Sequence, residues 1–192
     1  MESPGGGAIK AGSALIRCTR GNIATEFGLI LPLLLVMMFA AAELARFIII
    51  HQKVDRVAVT MADLVARAET ISESDLDDIF VSATEVARPF DLATLGIVIV
   101  SAVTNPDGDG PEVAWQRSGA GSYSATSKLG GEGEAATLPT GFLVNEGETA
   151  IISEVYFGFV PFLTDLVLGG QTIYRAAFHR PRLGTLDEVE AG

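Results

Sequence analysis

The rhythm of apolar and polar positions changes several times along this chain, and each change predicts an element. Phe27 to Ala42 is sixteen residues without a charge, and apolar character resumes past Glu43 and Arg46 through Ile48-Ile49-Ile50. A helix rises about 1.5 Å per residue, so this stretch, tilted, crosses a hydrocarbon core of about 30 Å. Further on, Val54, Val57, Met61, Leu64, Val65 and Ala68 recur at helical spacing and form one apolar stripe. Lys53, Asp55, Arg56, Asp63 and Arg67 occupy much of the remaining surface. The pattern predicts one helix from about residue 22 to 69, half in lipid and half amphipathic.

Ser72-Glu73-Ser74-Asp75 opens a second helix, because serine side chains cap orphan amides and acids suit the positive helix end. Leu76, Ile79, Phe80, Ala83 and Val86 form its apolar face, and Pro89 ends it. From Gly96 the period shortens. Ile97 to Val103 is β-branched and reads as a strand, Asn105 to Gly110 is turn chemistry, and Glu112 to Arg117 is the returning strand of a hairpin. Residues 118–141 are rich in Gly, Ser, Ala and Thr and predict a flexible surface loop. Thr149 to Phe159 alternates as a strand, Gln171 to His179 forms a last one, and the acidic tail after Pro181 is expected to be loose. The fold class is therefore α+β: a long N-terminal helix, a second helix and a small antiparallel sheet of four strands.

Composition and charge sharpen this picture. The 192 residues hold 48% hydrophobic side chains, which fits a membrane-anchored chain. Residues 47–192 carry nine bases against twenty-one acids, net −12, which speaks against nucleic acid as a partner. Orientation does not follow from charge: Lys10, Arg17 and Arg20 on one side of the span are matched by Lys53, Arg56 and Arg67 on the other. Cys18 is the sole cysteine, so no disulfide or thiolate metal site is expected in the exported part.

Glu26 stands directly before the apolar run. A charge taken toward hydrocarbon costs on the order of 2.5–3.5 kcal/mol, so an acid in that place calls for a partner. If the bond after Gly21 is cut, Asn22 carries a new α-amino group one helical turn from Glu26, and a neighbouring subunit can offer that ammonium to it. The plainer alternative is a solvated flank at the headgroup level. Pro32 lies inside the run, where membrane helices tolerate proline, and a kink is expected. Glu43 and Arg46 are three apart and can neutralise each other near the far interface. A signal peptide cut after Ala40-Ala41-Ala42 is a second way to read the same segment, although Glu26 and the length of the run oppose it.

Gly21, Asn22-Ile23-Ala24-Thr25, Glu26 and the adjoining helix resemble a type IV prepilin processing site. More closely, Arg20 to Phe47 resembles the N-terminus of TadE/TadG-like proteins, minor pseudopilins of the tight-adherence (Flp-type) pilus. The resemblance covers roughly residues 17–65, with a weaker similarity from Glu154 to Arg182. It implies a pilin-like fold and the membrane, a prepilin peptidase and other pilus assembly proteins or pseudopilins as partners. It also implies cleavage after Gly21 and a role for Glu26 in processing or assembly. Phe27 stands where major Flp pilins usually place a tyrosine, which points to the minor branch.

The expected organisation is a cytoplasmic leader over 1–21, its first dozen residues disordered, then a transmembrane helix over 22–50. An exported domain over 51–185 and an acidic tail over 186–192 complete it. The protein is then single-pass in the bacterial inner membrane, with its N-terminus cytoplasmic and its domain periplasmic or extracellular. No residue pattern supports catalysis. His51 and His179 have no nucleophile pattern around them, and HExxH, CxxC and Walker motifs do not occur. No cofactor, metal or small-molecule substrate is expected: Asp75-Leu76-Asp77-Asp78 reads as a helix start, and Asp107, Asp109 and Glu112 read as a turn. Phe162, Leu163, Leu166, Val167 and Leu168 form either core or an exposed partner surface.

Overall fold

Helix α1, Thr19–Ala66, is 48 residues long and continues through Pro32. The computed structural model describes residues 19–162 and 170–190, and side chains among them from residue 23 onward. The leader before Thr19, Cys18, Leu163 to Gly169 and the last two residues of the tail lie outside the described residues. The chain divides between Leu44 and Ala45 into two units. The first is helical over its described residues, and every residue from Ile23 to Ala42 is exposed.

In the second unit, α1 buries Ile50, Val54, Val57, Met61 and Val65. Leu64, expected on this stripe, is 36% exposed, while Ala58 and Ala62 are fully buried. The reason is the 3.6-residue period, which keeps positions 54, 57, 58, 61, 62 and 65 on one face and turns 64 away. Helix α2, Glu73–Ala87, starts as a capping box: Asp75 N–H donates to Ser72 Oγ, and Ser72 N–H donates to the Asp75 carboxylate at 3.0 Å. Leu76, Phe80, Ala83 and Ala87 are its buried face. It stops where Arg88 turns extended ahead of Pro89, since a residue preceding proline disfavours the α region. A one-turn helix α3, Leu92–Leu95, follows, its Thr94 N–H capped by Asp91 Oδ1 at 3.1 Å. The sequence reading missed it, because four residues carry no periodicity.

Strands β1 (Gly96–Thr104), β2 (Glu112–Gly119), β3 (Thr149–Phe159) and β4 (Gln171–His179) form one antiparallel sheet in the order β2-β1-β3-β4. A bulge between Ala102 and Val103 shifts the β1–β2 register. Val98, Val100, Trp115, Ile151, Val155 and Phe157 point from the sheet into the core shared with α1 and α2. Fully burying side chains of this size stabilises by about 1.5–3 kcal/mol each.

Central strand β3 is buried along nearly its whole length. Both faces therefore need a cover, and residues 120–148 supply the second. They lack regular structure, as their composition predicts, yet they are more than the surface loop expected over 118–141, whose first two residues end β2. Leu129 and Val144 are buried with Val103, Val113 and Ile152 in a second cluster. Backbone bonds fasten the segment to β2, Val113 N–H donating to Glu134 O at 3.0 Å and Gly133 N–H to Val113 O at 2.8 Å. Gly121 lets it leave β2: a Cβ there would meet Gly96 O at 2.1 Å.

The tail is also a correction. Instead of running loose after Pro181, its described part is tied down. Arg182 N–H donates to Ala66 O at 2.9 Å, and Glu190 N–H to Ile71 O at 2.8 Å. Trp115 Nε1–H donates to Leu186 O at 2.8 Å, and Leu186 itself is 4% exposed. The tail follows the ends of α1 and β2 because a buried indole N–H must find an acceptor, and this carbonyl is the one within reach.

Candidate functional site

The residues singled out in the sequence fall on α1. Gly21 and Asn22 lie in its first turns, so the helix begins ahead of the expected cut rather than at it. Glu26 follows one turn after Asn22, about 6 Å along the axis, and is exposed. Phe27 is 61% exposed, and a Cβ added at Gly28 would meet nothing within 4 Å. Leu29, Leu33 and Phe39 are exposed in the same way. An apolar helix of this length with no protein covering it suits a lipid surrounding, where the backbone is satisfied internally and the side chains need no polar partner. One N-terminal helix of length and apolarity sufficient to cross a membrane is present among the described residues, which suggests a single-pass anchor.

Glu43 and Arg46 occupy the same helix. Within the second unit, Arg46 Nη1 donates to Val160 O at 3.0 Å, and its guanidinium lies 4.3 Å from the Phe162 ring centroid and 5.4 Å from that of Phe159. Sequence reading missed this junction of helix and strand end. The signal for it was the aromatic pair around Val160-Pro161, which alternation alone cannot assign to a partner.

The second polar feature that sequence reading missed is Glu154, fully buried on the sheet face covered by 120–148. Its carboxylate accepts from the Ser127 hydroxyl, from Lys128 N–H at 3.0 Å and from the Tyr174 hydroxyl at 2.8 Å. Lys128 Nζ lies 3.6 Å from the Tyr174 ring centroid. Burial, reinforced by the Glu154 charge, pushes both Tyr156 and Tyr174 well above the ordinary phenol range. The arrangement fastens the covering segment to β3 and β4, since every partner named donates into one carboxylate.

His51 packs edge-on against Phe47, and its Nδ1 lies 2.9 Å from Arg175 Nη2, so it sits in a helix–strand contact. His179 ends β4 on the same face as Arg175, and its Nδ1 is buried without a hydrogen-bond partner. Asp107 and Asp109 are exposed in the turn after β1. No grouping of three metal-ligating side chains occurs among the described residues.

Residues 21–62 match the family model of the TadE-like proteins. No curated protein and no solved structure matches the chain. The matched segment starts at Gly21 and takes in Glu26, the exposed apolar run and most of the stripe that α1 buries. Over that segment the chain is similar to the TadE-like proteins.

Proposed function

We propose that this chain is a minor pseudopilin that supports biogenesis of an adhesive pilus of the tight-adherence type. The TadE-like match points to pilus machinery, and the exposed apolar run of α1 supports the finer role. In this reading residues 22–50 anchor the protein in the inner membrane. The N-terminus is cytoplasmic, and the sheet domain faces the periplasm or exterior. A prepilin peptidase cuts after Gly21. Glu26 then attracts the Asn22 α-ammonium of a neighbouring subunit in low dielectric, where opposite charges at close range interact far more strongly than in water. Glu43 and Arg46 neutralise each other where the helix leaves the bilayer. Exposed apolar positions such as Phe27, Leu29 and Leu33 pack on other pilus components or lipid, and Pro32 sets the local bend. No catalytic role is assigned.

The observation that carries the reading is the coincidence of the family match with an exposed apolar helix that bears one acid at its mouth. The test is the N-terminal residue and intact mass of the protein recovered from cells. Asn22 is the expected first residue, and Glu26→Gln should reduce assembly with other pilus proteins. Recovery of the chain with Met1 intact supports a permanently anchored scaffold domain instead. A first residue of Glu43 supports a secreted module, a reading favoured by the division of the chain just after that point, which leaves the sheet domain whole.

A further inference from the structure

Val160 and Phe162 are exposed apolar side chains beside one cation, Arg46. Val160 is 59% exposed and Phe162 79%, and both touch Arg46 through the contacts given above. Ile49, three residues after Arg46 on the helix, is 46% exposed. Arg46 is four residues past Ala42, the end of the charge-free run, which is about 6 Å of helix. The sixteen-residue run rises about 24 Å, so Arg46, about 6 Å further on, comes to the edge of a core of about 30 Å, next to a polar layer roughly 5–8 Å deep. Apolar groups on an exposed turn are costly in water, whereas at headgroup depth the Phe162 ring and the Val160 side chain meet acyl chains, while Arg46 holds the turn to the helix.

We propose that the Val160–Phe162 turn is a membrane-docking element: it seats the base of the sheet domain in the interfacial layer of the leaflet from which α1 emerges. The occupant of the patch is lipid, because Arg46 belongs to the patch and to the helix that carries the span. This inference rests on the reading of 22–50 as a membrane segment. The turn at Asp107 serves as a reference, because β3 runs eleven residues from the Thr149 end beside it to Phe159.

The experiment uses the full chain with Cys18→Ala, reconstituted in phosphatidylcholine–phosphatidylglycerol nanodiscs. Single cysteines at Phe162→Cys, Val160→Cys, Asp107→Cys and Leu34→Cys each carry an environment-sensitive fluorophore. The expected result is blue-shifted emission at 162 and 160, with quenching by lipids brominated near the headgroup and loss of quenching by aqueous iodide. The label at 107 should stay open to iodide, and that at 34 should be quenched by lipids brominated deep in the chain. If 162 and 160 behave like 107 while 34 is lipid-quenched, the docking is wrong and the anchor stands. If they are shielded from iodide yet untouched by brominated lipid, a protein covers the patch and lipid docking is overturned. If 34 is not lipid-quenched, the membrane reading itself falls, and this inference with it.

Discussion

Among single residues, Glu154 has the largest expected effect on the sheet domain. A buried charge is tolerated only when donors surround it, and here a hydroxyl, a backbone amide and a phenol converge on one carboxylate. Glu154→Gln turns one acceptor oxygen into a donor facing other donors. The expected cost is about 1–3 kcal/mol, read as a lower urea midpoint of the full chain in detergent. The same cluster predicts behaviour in alkali. Tyr156 and Tyr174 have folded pKa values raised by burial and by Glu154, above the ordinary phenol value of about 10. The folded state then holds protons that the unfolded state has released, so their contribution is complete below about pH 10 and declines as pH rises beyond it. Absorbance at 295 nm should show these two phenols ionising together with unfolding. Tyr174→Phe should make the decline shallower.

Among elements, the tail after β4 matters more than its acidic composition suggests. Leu186 is buried beneath the Trp115 indole bond, and Glu190 pairs in parallel with Ser72 at the head of α2. Leu186→Ala is expected to cost about 2–5 kcal/mol, as for other buried leucines, and to lower the thermal midpoint of the near-UV signal of Trp115. A loose tail would leave both unchanged. Local signals made the regular elements legible. β-branched residues marked β1, alternation bounded β3 and β4 at the residues observed, and the serine–acid start of α2 is the capping box now seen. What stayed hidden depends on distant pairings. Leu186 reads as an ordinary tail residue until Trp115, 71 positions earlier, is known to need its carbonyl. Glu154 reads as the polar member of an alternating strand until residues 120–148 are known to close over that face. The same holds for Arg46, whose aromatic partners lie more than a hundred positions away.

For the whole molecule, the division at Leu44 and Ala45 predicts that the two units separate in their needs. A fragment spanning Ala45–Gly192 retains both hydrophobic clusters. It is expected to be water-soluble, with native-like circular dichroism and one cooperative urea transition, while the full chain requires detergent or lipid. A fragment that aggregates or melts without cooperativity would show that the domain depends on its membrane segment. The segment that matches the TadE-like model was the most legible part of the chain, because Gly21, Glu26 and the apolar run are consecutive in sequence and the comparison needs no tertiary contact.

The stripe on α1 also sets the order in which the domain can form. Val54, Val57, Met61 and Val65 leave the ribosome early, but the strands and tail that cover them end near residue 186. Contacts such as that of His51 with Arg175 span 124 positions, and distant pairings of this kind form late and slowly. Until residues near 186 have emerged, the greasy side of the helix has no shelter of its own, so a chaperone or translocation channel is expected to hold the nascent domain in the meantime.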